Sequence, residues 1–220
     1  MEEIIIARNL DDLEKAFPME RNKFYEEQIE CFRKNGKPSK SVDIVDAFLF
    51  NEHGELYIQK RAKNKAHNPR LLDKSLGGHV NYGDTIDYTV MVETVQELQV
   101  PSIVLKTHQD YKKTHKLLKN YLNTIAIMKQ IDTKLFWLEK KFSNESATIA
   151  NYVHLFIGVY SGRVKTVDRE SSGILHYTLE DLYYEMETVP AIFTPDLHTL
   201  TKKYRSELEK FQRTNQLIED

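Results

Sequence analysis

Cysteine is nearly absent. Cys31 is alone in the sequence, which excludes an internal disulfide framework and any zinc cluster built on thiolates. No stretch approaches the roughly 18 to 20 continuous apolar residues of a membrane span. The acidic start MEEIIIARNLDDLEK also lacks the basic-then-apolar order of a signal peptide, so a cytoplasmic protein with no membrane partner is expected. Charge of one sign is not in excess. Lys plus Arg number 31 against 33 Asp plus Glu, and no global field points toward nucleic acid or an anionic surface. There is no internal repeat or low-complexity linker. What is left, 220 residues with 40% hydrophobic and 29% charged, is the composition of an ordinary globular protein with a sizeable core.

Along the chain, Asn9 before LDDLEKAF reads as a capped helix, and MERNKFYEEQIECFRKNG as a second helix closed by Gly36. Cys31 within it reads as a half-buried small residue. The period then changes. SVDIVDAFLF and ELYIQKR are β-rich runs around the turn-rich quartet NEHG, a hairpin signal. After a polar loop, GGHVNYGDTIDYTVMVETVQELQV presents a glycine pair and then a helix over 85–99, with Asp84 as its cap and Pro101 beyond its end. Ile86, Val90, Met91, Val95 and Leu98 give that helix an apolar side, while Glu93, Gln96 and Glu97 share another edge.

The following segment reads as strand, basic helix or loop, then strand, with Lys106, Lys112, Lys113, Lys116 and Lys119 on a solvated face. Phe136 and Trp137 are expected in the core. YVHLFIGVY is a buried strand, and GILHYTLEDLYYEM a short strand entering a helix capped by Thr178. The last helix opens with Thr194 and Pro195 and turns Leu197, Leu200, Tyr204, Leu208 and Phe211 inward. Strands with helices between and after them predict an α/β layered domain.

A glycine pair lets backbone approach closely, and an acid-edged helix behind it can hold a divalent cation in the resulting cleft. Magnesium takes hard oxygen ligands and keeps several waters, so one or two carboxylates plus substrate phosphates can complete its shell. Two glutamates four apart on a helix are, taken alone, more often a solvated edge. The spacing alone does not choose between these readings.

The stretch resembles the Nudix box, G, five residues, E, seven residues, then R-E-U-x-E-E-x-G-U with U aliphatic. Without gaps it reads Gly78, Asp84, Val92, Glu93, Thr94, Gln96, Glu97, Gln99 and Val100. The run GELYIQKRAKNKAHNPRLLDKSLGGHVNYGD is similar to the Nudix subgroup related to isopentenyl-diphosphate isomerase, and YVHLFIGVYSGRVKTVDRESSGILHYTLEDL to that subgroup's late strands and closing helix. The resemblance covers about residues 42 to 205. It implies a Nudix-type α/β/α sandwich with a mixed sheet over residues 41–220, preceded by a helical extension over residues 1–40.

The resemblance also implies roles. Glu93 and Glu97 would ligate Mg²⁺ or Mn²⁺, and Gln96 stands where the box has a third acid, a weak ligand or a dead position. Glu170 would be an extra ligand or base. Arg61 and Lys65 would face substrate phosphates, Gly78 would bring backbone to the substrate, and His79 would line the pocket or bond backbone. His53 and His198 carry no role. The box departs from the pattern at Val92, Thr94, Gln96 and Gln99, and the cysteine that the isomerase uses before its glycine-histidine pair is absent from KSLGGHV, so isomerisation is not expected. The implied activity is metal-dependent hydrolysis of a diphosphate linkage in a nucleoside diphosphate derivative or similar small molecule. The alternative is a catalytically impaired module that binds a phosphorylated ligand without cutting it. A homodimer is compatible with either.

Overall fold

A computed structural model describes residues 3–142, 145–165 and 171–216. The chain opens as a β-hairpin, β1 (Ile4–Asn9) and β2 (Asp12–Glu20), followed by helix α1 (Arg21–Asn35). This corrects the expected pair of helices. All of LDDLEKAF but its first two residues, which form the turn, lies in β2, paired antiparallel with β1 from Ile4↔Glu20 onward, and β1 in turn pairs with the start of the next strand. Only the second helix forms as read, closed by Gly36 in the left-handed region at φ 70°, with Cys31 half-buried on it.

The centre of the molecule is β3 (Lys40–Phe50), buried on both faces because its side chains alternate between two cores. Val42, Ile44, Phe48 and Phe50 join one core and Val45, Ala47 and Leu49 the other. One edge of β3 pairs in parallel along ten residues, Ser41↔Ala150 to Phe50↔Val159, with β9 (Ser146–Val159). The other edge is shared in succession: β1 at Lys40–Val42, β6 (Leu76–His79) at Ile44–Ala47, and β4 (Leu56–Arg61) at Phe50 alone. The hairpin signal around NEHG is therefore correct only at its turn. Beyond Phe50↔Leu56 the two strands fork, and β5 (Leu72–Asp73) and β6 fill the gap. Ser75 sits in the fork. Its Oγ accepts from Leu49 N at 2.8 Å and donates to Tyr57 O at 2.6 Å, bridging the two diverging strands.

The sheet continues through β8 (Ala126–Lys141) to β7 (Ser102–Leu105) on one side, and through β4 to β10 (Ser171–Tyr177) on the other. It is mixed, with β3·β9 and β7·β8 parallel. Helix α2 (Ile86–Leu98) covers one face through Val90 and Leu98. On the other face lie residues of α1, α3 (His108–Leu117), α4 (Leu179–Thr188), α5 (Pro195–Lys203) and α6 (Arg205–Gln216). The α/β class with a mixed sheet is as expected. Thr178 and Thr194 cap α4 and α5, accepting from Asp181 N and Leu197 N, and Pro195 opens α5. The final helix is two helices broken at Tyr204, although the stripe from Leu197 to Phe211 is buried throughout. Phe136 is core, but Trp137 is 49% exposed because the strand alternation that buries one turns the other outward. No helix among the described residues is long and apolar enough to cross a membrane.

Candidate active site

The register Val45↔Gly78 and Asp46↔Gly77 places the two glycines on the edge of β3, and consecutive residues of β6 face opposite sides of the sheet. Both sides are full. A Cβ at Gly78 would strike the carboxylate of Glu93, which lies directly against this backbone. A Cβ at Gly77 would lie 2.5 Å from Asp46 Oδ1 and 2.8 Å from Lys74 Cε. The glycine pair is thus required by close approach on two faces and not by a left-handed turn. Gly77 N–H donates to Glu97 Oε2 at 3.1 Å, so both acids of the helix edge converge on the same strand. Glu97 is only 2% exposed.

Helix α2 starts one residue later and ends one residue earlier than the sequence predicts. Thr85, and not Asp84, is its cap, with the Thr85 hydroxyl accepting from Tyr88 N at 3.2 Å; Asp84 instead accepts from Asn81 Nδ2 at 3.4 Å. Gln99 ends the helix in the left-handed conformation, φ 56° and ψ 34°, the geometry for which glycine is the usual choice. Thr94, at an aliphatic position of the box, is fully buried and satisfies its hydroxyl by donating to Val90 O at 2.6 Å. Val95, expected on the apolar side, is 50% exposed. Gln96 is exposed too, so the third box position stands apart from the buried Glu97.

The other sequence-read residues lie around the opposite face of β6. His79 is largely buried and shares a hydrogen bond of 2.8 Å between Nε2 and Tyr25 Oη, with Glu3 Oε1 3.8 Å from its Nδ1. Burial, and then the cations Arg21, Lys140 and Lys65, hold its pKa well below the ordinary histidine value, so the imidazole is neutral. Arg61 commits its fork to the protein: Nη1 donates to Asp73 Oδ2 at 2.9 Å and Nη2 to His67 O at 3.1 Å. Lys65 is half-buried in the loop after β4. Glu170 lies outside the described residues. His53 is exposed beside Glu52, and His198 hydrogen-bonds with Pro190 O at 3.0 Å.

Sequence reasoning missed the charged cluster beneath Gly77. Lys74 Nζ, on a residue 6% exposed, lies 3.1 Å from Asp46, 3.4 Å from Asp73 and 3.8 Å from Asp196; Lys140 is also 3.8 Å from Asp196. Thr194 Oγ1 donates to Asp73 Oδ1 at 2.8 Å, so the cap of α5 is tied to this cluster. Burial raises Asp46 to about 7, because Lys74 is shared with Asp73 and Asp196, whose charges push Asp46 further up. Burial works in the same direction on Asp73, but there Lys74 and Arg61 together outweigh it and hold the carboxyl low. A signal was available. Asp43 and Asp46 interrupt the otherwise apolar SVDIVDAFLF, and an acid inside a doubly covered strand must have partners. Asp43 has its own in Arg8, through two hydrogen bonds of 2.7 and 2.8 Å.

Glu93 and Glu97 supply hard oxygen donors on one helix edge, the kind that Mg²⁺ or Mn²⁺ takes, with waters and substrate phosphates able to complete the shell. Among the described residues no group of three or more His, Cys, Asp or Glu is arranged to hold a metal ion.

A segment of 59 residues is 41% identical to a curated Nudix hydrolase of Deinococcus radiodurans, covering 27% of this chain and 34% of that protein. Another comparison gives 34% identity over 64 residues with an uncharacterized Nudix hydrolase of Nostoc sp., covering 29% of this chain and 38% of the relative. No protein-family model matches. The crystal structure of DR0079 from Deinococcus radiodurans superposes with a TM-score of 0.52 at 20% identity, over 74% of this chain and 82% of that one, a likeness of fold. The chain spans about a third of the length of the curated relatives it matches, and those relatives are Nudix hydrolases.

Proposed function

We propose that the protein is a divalent-cation-dependent Nudix hydrolase that splits a diphosphate linkage in a small molecule such as a nucleoside diphosphate derivative. The observation that supports this most is the convergence of Glu93 and Glu97 on the Gly77–Gly78 backbone, which puts two carboxylates against one half-buried strand. Glu93 and Glu97 would hold Mg²⁺ or Mn²⁺, which, when bound, neutralises phosphate charge and makes water a better nucleophile. The Gly77 N–H donates to one oxygen of Glu97 and so orients the carboxylate. Gly78 lets the Glu93 carboxylate lie directly against the strand, because any side chain at that position would strike it. On the opposite face of β6 from Glu93, neutral His79 is bonded to Tyr25 and Arg61 is committed to Asp73 and His67, so the metal-side roles rest on Glu93 and Glu97. Glu170 is the candidate for the base that orients the attacking water.

A second reading is favoured by one observation: Gln96 is exposed and neutral, which leaves two acids where the box has three. In that reading the protein binds a phosphorylated ligand without cutting it. Turnover of a panel of nucleoside diphosphate derivatives with Mg²⁺ or Mn²⁺ separates the two. Hydrolysis by the wild type, falling about a hundredfold or more in Glu97→Gln, is expected; turnover appearing only in Gln96→Glu would establish the binder.

A further inference from the structure

We propose that the cavity bounded by α3, β8 and α6 is a second binding site, for a small phosphate-bearing anion with at least two negative charges, remote from the acid helix. Lys129 on β8, Lys112 on α3 and Lys210 on α6 all line this cavity of about 540 Å³. Three separate elements thus aim ammonium groups into one space. Lys129 follows Met128, which packs in the core under α2, so by strand alternation it points to the opposite face of the sheet from Glu93 and Glu97.

The charge does not balance internally. Lys106, also on the rim, is paired with Asp87 at 3.1 Å and drops out of the account. Glu207 is the single carboxylate lining the cavity, and none of Lys112, Lys129 and Lys210 forms an ion pair among the described residues. The surplus is two positive charges. Lys129 is half-buried, its Nζ 3.1 Å from His108 Nδ1 and 5.3 and 5.5 Å from the ring centres of Tyr111 and Phe211. Two ring faces offset only part of the cost of holding an ammonium there. Burial first, and then Lys210 and Lys112, lowers the Lys129 pKa; burial and then Lys129, Lys112 and Lys210 lower that of His108. Mutual repulsion of this kind is relieved by a ligand carrying the missing negative charge. A phosphoryl group suits it because several oxygens can accept from Lys129, Lys112 and Lys210 at once.

The test is calorimetric titration of the full chain with inorganic pyrophosphate in EDTA, so that no divalent ion can bridge the anion to Glu93 and Glu97. One saturable site is expected, weakened at least tenfold in Lys129→Gln and in Lys210→Gln and unchanged in Glu97→Gln. Lys210 is exposed, so its variant tests the site even if Lys129→Gln misfolds. The His108 ring signals in NMR should titrate at higher pH once pyrophosphate is bound. No saturable uptake, or equal affinity in both folded lysine variants, overturns the proposal.

Discussion

At Gly78 the proposed metal site and packing meet in the same space, since Glu93 occupies the place where any side chain would stand. Gly78→Ala should cost about 1–3 kcal/mol in stability through overpacking. It should also displace Glu93 and weaken uptake of Mg²⁺, measured by calorimetry alongside a thermal melt. An unchanged magnesium affinity in a folded Gly78→Ala protein removes Glu93 from the metal site. Asp46, on the neighbouring β3 opposite Gly77, sets a pH dependence. Its pKa is raised in the folded state from 3.8 to about 7, so between those values the folded protein holds a proton that the unfolded chain has released. Stability should therefore fall as pH rises through that window and level off above about 7. Asp46→Asn, followed by urea unfolding from pH 4 to 8, should lose this slope. Asp46 was legible as a buried acid in an apolar strand; its partner Lys74 was not, because the fork that joins them is created by pairing between distant segments.

Among the elements, α2 was the most legible. Its periodicity fixed the helix to within a residue at each end, and the error at the start has a plain cause: Asp84 and Thr85 are both good capping residues, and backbone geometry selects the second. Its far end makes a prediction. Gln99 adopts a conformation that costs a non-glycine residue about 1 kcal/mol or more, and its side chain is exposed. Gln99→Gly should stabilise the protein by roughly 1 kcal/mol, read as a higher thermal midpoint, with the acids of the helix left in place. The hairpin β1–β2 was the least legible element. Acids after Asn9 mimic a helix start, and the strand forms because β3 offers an unpaired edge, a tertiary gain that local propensity does not contain. Pro18, which a helix interior resists, was the contrary signal, and it sits on the outermost strand, where a missing donor is tolerated.

For the whole molecule, hydrophobic alternation in SVDIVDAFLF and YVHLFIGVY made the layered α/β class readable, since strands apolar on both faces demand cover on both. The order of strands was not readable. One edge of β3 accepts three partners in turn, and sequence periodicity carries no record of which segment returns to which stretch of an edge. The two faces that result keep the acid helix on one side and the lysine-lined cavity on the other, so magnesium-dependent turnover and EDTA-insensitive anion uptake should respond to separate mutations. Ser75 has a consequence beyond packing. By tying Leu49 to Tyr57 it fixes where the strands part, and the polar loop of residues 62–71 hangs wholly on the far side of that knot. A change in the length of that loop should then leave the two glycines in register, read as an unaltered thermal midpoint on deleting a loop residue.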